Sequence, residues 1–306
     1  MAITAKDVQK LREMTGVGMM DCKNALTETD GDIDKAIEWL REKGLAAQTK
    51  KAGKIAAEGV SYAIAADNGV GVIIEVNSQT DFVAKNEVFQ DFVKNLANLV
   101  ATESPADVEA LKACTYPGTD RSVTDVTADK VLSIGENLQI RRFVRYAQGV
   151  SVPYIHMNGK IGVLVNLTIE GIEAAKVTEL GKDVAMQIAA MNPSFLDKSD
   201  VDQSTLDKEK EILMIQAKED PKNASKPENI IEKMVMGRVG KFYEENCLLQ
   251  QAFVKENKLS VEQYVAQTAK QLGGSIAVAA FTRFETGEGI EKKEDDFAAE
   301  VASMIN

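Results

Sequence analysis

The run VGVIIEVNSQTDFVAKNEVF, residues 70–89, decides how this chain is read. Residues 70–76 are almost wholly apolar and rich in β-branched side chains, the pattern of a buried strand. Further on, Val88, Phe89, Phe92, Val93, Leu96, Leu99 and Val100 keep helical spacing up to Ser104-Pro105, so a helix is expected to begin near Lys85 or Asn86. Asp81 and Phe82 fall on the turn between the two. A large aromatic at such a turn either folds back beneath its own helix or is offered to a partner. A carboxylate beside it suits the positive end of the helix dipole.

Working upstream, residues 60–65 read as a second strand, joined to the first through the hairpin signal Asp67-Asn68-Gly69. Residues 140–150 are a further strand candidate. The same order then returns: residues 152–156, an Asn158-Gly159 turn, residues 161–165, a loop, and a helix through Leu180, Val184, Ile188 and Met191. Strand, NG turn, strand, loop and helix occur twice, which predicts an α+β core of two related subdomains. The first spans residues 56–150 and the second residues 151–198 with 236–290, the stretch SIAVAAFTRFE (275–285) completing its sheet.

Residues 1–55 read as three short helices. Thr4 caps the first, Gly16 and Gly18 allow a tight turn, Asp21 or Asn24 sits near the second start, and Gly44 caps the third. This unit resembles ubiquitin-associated domains, in which the glycine turn forms part of a binding surface. Met19-Met20 on that turn either fills the core or serves as an adaptable docking contact. Residues 199–235 predict an inserted helical hairpin, with helices over 201–217 and 230–239, which either self-associates or packs as an ordinary antiparallel pair. Residues 291–306 carry Phe297, Val301 and Met304 at helical spacing, a C-terminal amphipathic module.

Composition narrows the function classes. A net charge of −11 and a pI near 4.9 argue against a nucleic-acid or anionic-membrane binder. Cys22, Cys114 and Cys247 are far apart, with neither zinc spacing nor a disulfide framework. His156 is the lone histidine, which leaves little for histidine metal sites or histidine-paired nucleophiles. A phosphate-cradling loop is missing, since Gly53-Lys54 is followed by Ile55 and Gln48 stands where the first glycine belongs. Asp295-Asp296 reads as a solvated charge run. The N-terminus is polar where a signal peptide would be apolar, and no apolar run reaches the ~18 residues of a membrane span. The expectation is a cytoplasmic protein that works by contact, with no cofactor and no catalytic site.

Three stretches carry a family resemblance: TGVGMMDCKNAL followed by GDIDKAIEWLREKG, then EVNSQTDFVAKN, then FETGEGIEKKEDDFAAEVA. Together they strongly resemble the bacterial elongation factor Ts family, in the same order and from end to end. The resemblance implies a guanine-nucleotide exchange factor for elongation factor Tu. Thr80, Asp81, Phe82 and Val83 then form the exchange wedge, with Phe82 inserted beside the partner's Mg²⁺ and phosphate site and no direct nucleotide binding by this chain. It further implies partner contacts at Arg12, Met19 and Met20 and at His156, and a hairpin that favours a homodimer or a two-plus-two complex. The alternative is a non-catalytic adaptor that grips a helical partner through its N-terminal unit.

Overall fold

The computed structural model describes residues 3–223 and 226–291. The amphipathic segment expected at residues 292–304 lies outside the described residues. Helix and strand segregate as an α+β fold built from two small antiparallel sheets. Three helices lead in: α1 (Ala5–Thr15), α2 (Met19–Glu28) and α3 (Ile33–Lys51). A capping box between Thr4 and Asp7 starts α1, and Gly16 ends it in the left-handed conformation at φ 68°. Helix α2 begins at Met19 with Asp21 in its first turn, near the start as expected, whereas one expectation needs correcting: α3 continues past Gly44 to Lys51. Gly44 serves packing instead: a Cβ there would sit 3.2 Å from the Ala128 carbonyl, so the glycine lets another helix approach closely.

The first sheet is β1 (Glu58–Ala65), β2 (Gly71–Ser78) and, later in the chain, β3 (Gln139–Tyr146), in the order β1-β2-β3. Between β2 and β3 come α4 (Asp81–Ala84), α5 (Glu87–Glu103), α6 (Val108–Ala113) and α7 (Val123–Ile134). Asn86 caps α5, as expected, whereas the Asp81-Phe82 turn is itself one turn of helix. The single strand expected over 140–150 is two, because the chain turns at Gly149 (φ 81°) and starts β4 (Val150–His156).

Strand β4 pairs with β5 (Ile161–Glu170). Next come α8 (Thr178–Met191), α9 (Gln203–Glu219), α10 (Glu228–Asn246), the small hairpin of β6 (Ala252–Phe253) and β7 (Glu256–Ser260), α11 (Val261–Leu272) and β8 (Ser275–Glu285). Strand β8 closes the second sheet in the order β4-β5-β8, repeating the first topology. Helices α9 and α10 pack against each other through Leu213, Met214, Ala217, Ile231 and Val235. Helix α9 lies two residues further along than the expected span of 201–217, and α10 extends past the expected 230–239 at both ends.

The sheets stack back to back, each with helices on its outer face. Val72, Ile74 and Val76 of β2 join Phe89, Phe92, Val93 and Leu96 of α5 in one core. The opposite face of β2 meets the second sheet, where Ala63 and Ile73 pack with Leu164 and Phe284. Every residue of β2 is therefore buried, which explains why residues 70–76 are apolar on both faces except at Glu75. Small residues permit the contact: a Cβ on Gly71 would lie 2.2 Å from Ser151 Oγ. The N-terminal helices dock on α7, whose Leu132 enters their core of Val8, Leu11, Val17, Cys22 and Leu40. Among the described residues no helix is long and apolar enough to cross a membrane.

Candidate partner-contact site

Phe82 is 81% exposed, although its neighbours Val83 and Ala84 are buried in the first core. Helix α4 is a single turn, too short to stabilise itself, and its fixed position comes from elsewhere. Thr80 caps it, the hydroxyl accepting the Val83 N–H at 3.4 Å. Ser78 Oγ donates to the Thr80 carbonyl at 3.0 Å, and Gln90 of α5 donates to the Ala84 carbonyl at 3.3 Å.

The strongest hold comes from Glu136, just beyond α7. Its Oε2 accepts the backbone N–H groups of Gln79 and Thr80, each at 3.0 Å, and its Oε1 accepts the Thr80 hydroxyl at 2.6 Å. One carboxylate thus satisfies three donors at the turn. Lys51, the last residue of α3, donates to the carbonyl of Gly135, so the N-terminal unit touches the residue preceding this clamp. An exposed aromatic on a clamped turn presents about as much rigid apolar surface as a side chain can. Phe82 is therefore not folded beneath its helix. Val83, expected beside it at the contact, points inward.

Asp81 pairs with Lys85 at 2.6 Å one helical turn on. The hydrogen bond from Lys85 holds the Asp81 carboxyl below the usual carboxylate range, and the charge of Lys160 adds to the effect. Lys160 lies just after the β4–β5 connection, so Asp81 senses the second sheet as well as its own. His156, the last residue of β4 before that connection, is exposed, with its Nδ1 3.1 Å from the Tyr154 hydroxyl and its ring stacked on Tyr154. Beside it Met157 is 63% exposed.

On the N-terminal unit, Arg12 is exposed in the last turn of α1. Met19 and Met20 are 43% and 68% exposed, while Val17 and Cys22 fill the core around them. The methionines are surface residues, and core filling is excluded for both. Among the described residues no group of three or more His, Cys, Asp or Glu is arranged to hold a metal.

Sequence reading missed Glu136 and Glu75. Nothing local marks Glu136, which acts across 56 residues. Glu75 had a signal: a lone carboxylate inside an apolar strand must be paired when buried. It is fully buried and accepts from Arg141 at 2.9 Å, Arg142 at 2.6 Å, Asn77 at 3.1 Å and the Gly287 N–H at 2.8 Å. Burial pushes its pKa up, but these four donors together outweigh it and the net shift is downward.

The family profile described as elongation factor TS matches residues 79–288, a span running from the clamped turn to the segment after β8. A protein named elongation factor Ts from Syntrophotalea carbinolica is 47% identical over 306 residues, covering 99% of each chain. Proteins of the same name from Clostridium botulinum and Clostridium perfringens are 49% and 50% identical, again over 99% of each chain. With matches of this extent and identity, the chain belongs to the elongation factor Ts family.

Proposed function

We propose that this chain is a cytoplasmic guanine-nucleotide exchange factor for elongation factor Tu, working by contact and not by catalysing a chemical reaction. The observation that carries the mechanism is the 81% exposure of Phe82 on a helix turn pinned by Glu136. A pinned aromatic can enter a helix–helix crevice of the GTPase with little rotamer entropy to lose. Asp81, charged at neutral pH, holds that insertion in register by hydrogen bonding.

Insertion beside the partner's Mg²⁺ and phosphate site stabilises a GTPase conformation that holds GDP weakly, because Mg²⁺ neutralises phosphate charge. The effect is a coupling free energy and is reciprocal: GTP displaces the exchange factor by the same linkage. Arg12, Met19 and Met20 supply a second contact on the GTPase and His156 a third. Exposed Ile212, Ile215, Ile230 and Met236 on the α9–α10 hairpin supply apolar surface for a homodimer or a two-plus-two complex.

Stopped-flow release of a fluorescent GDP analogue from elongation factor Tu tests the proposal. The wild-type chain should accelerate release by orders of magnitude, and Phe82→Ala should bind yet accelerate far less. Binding by the wild type without faster release would replace this reading with that of an adaptor.

A further inference from the structure

The connection between β4 and β5 is strained. Met157 and Asn158 both take left-handed backbone conformations, at φ 48° and 55°, and Gly159 follows at 93°. Non-glycine residues crowd their Cβ against the backbone there and persist only where the surroundings over-determine them. The hold on this turn comes from the far end of the chain. Thr286, the first residue after β8, donates its N–H to the Lys160 carbonyl at 2.9 Å. Its hydroxyl donates to the Gly159 carbonyl at 2.8 Å and lies 2.8 Å from Ser61 Oγ on β1.

The next residue engages the other subdomain. Gly287 donates its N–H to Glu75 of β2, and a Cβ on it would fall 2.0 Å from the Ala57 carbonyl. Only glycine fits, at a φ of 77°. Glu75 stands five positions before Thr80 on the strand that feeds the Phe82 helix. Beyond Gly287, Arg142 reaches the Glu288 carboxylate at 3.1 Å. Among the described residues no strand pairs one sheet with the other, and this dipeptide hydrogen-bonds the strained turn on one side and the wedge-bearing strand on the other.

We infer that Thr286-Gly287 is a latch that sets the spacing between the Met157–Gly159 turn and the Phe82 helix, and that Thr286 is a positioning residue for nucleotide exchange. This rests on the exchange function proposed above. Two surfaces bearing on one partner act together only at fixed separation. When the separation floats, contact energy goes into ordering the complex instead of distorting the partner. The loss then appears in the release rate at saturation more than in affinity.

The test uses the full chain with Thr286→Val, which keeps the shape and removes the hydroxyl, and Thr286→Ser, which restores it. Amide hydrogen exchange is followed at residues 157–160, with residues 163–167 of β5 as the folding control. Release of the GDP analogue from elongation factor Tu is measured in parallel. Thr286→Val should raise exchange at 157–160 about tenfold with β5 unchanged. It should also lower the saturating release rate roughly fivefold while half-saturation shifts less than about twofold. Thr286→Ser should restore both, and Ser61→Ala, which removes one partner only, should give a milder form of both. Unchanged protection at 157–160 in Thr286→Val overturns the latch. Lost protection with an undiminished release rate overturns the positioning role. If the wild type itself fails to accelerate release, the exchange function falls and the positioning role with it, an outcome separated from the others because the wild type is assayed alone.

Discussion

The carboxylate of Glu136 grips Thr80 twice, accepting its backbone N–H at 3.0 Å and its hydroxyl at 2.6 Å. Replacing Glu136 with alanine strands these donors and the N–H of Gln79. Unmade hydrogen bonds to a charged, half-buried acceptor put the expected loss at about 2–3 kcal/mol in urea unfolding. Acceleration of GDP release should fall with it although Phe82 is untouched. Glu136→Gln should be intermediate, because one amide oxygen still accepts while the NH₂ faces a donor.

Phe82 and Phe89 lie seven positions apart and should respond oppositely to alanine. Phe89 is fully buried against β2, and its removal should cost roughly 3–5 kcal/mol. Phe82→Ala should change stability by less than about 0.5 kcal/mol, as expected of a surface position. Thermal unfolding of both variants beside the release assay checks the contrast. A large stability loss in Phe82→Ala would mean that the ring packs on its own chain.

Glu75 makes stability pH-dependent with a definite sign. Burial opposes its charge, its donors more than compensate, and its folded pKa lies below the ordinary 4.5. Its contribution is therefore present above pH 4.5 and lost as pH falls through the lower folded value. Glu75→Gln should destabilise by about 3–5 kcal/mol at neutral pH, since it leaves two arginines facing an uncharged group. The gap between wild type and variant should narrow as the pH is lowered below 4.5, as followed by denaturant unfolding across that range. A gap that widened on acidification would contradict this assignment.

Met19 and Met20 are exposed and unneeded by the core, so the double change to serine should leave the unfolding midpoint nearly unaltered. Affinity for elongation factor Tu should drop roughly tenfold if the pair is an interface anchor. The release rate at saturating factor should stay close to wild type. Titration of release rate against factor concentration separates the two effects.

Much of the architecture was legible in local periodicity. The apolar run of β2, the helical spacing of α5 and the repeated strand–turn–strand–helix order follow from burying one face or both faces of regular elements. Boundaries were less legible where a residue type has two uses. Gly44 reads as a cap but lets α3 approach Ala128, and residues 140–150 read as one strand because Gly149 looks the same in a strand as in a turn.

The sequence by itself determined the α+β class, the two-fold repeat and the candidacy of the Asp81-Phe82 turn. Tertiary structure decided that Phe82 faces outward, that Met19 and Met20 do too, and what holds the Asp81-Phe82 turn in place. The reason is physical. Periodicity records which face of an element is buried, a property of neighbours within a few residues. The Glu136–Thr80 clamp spans 56 residues and the Gly287–Glu75 bond 212, and such pairings come into being only when the folded chain brings the groups together in an interior where unpaired polar atoms are too costly to keep.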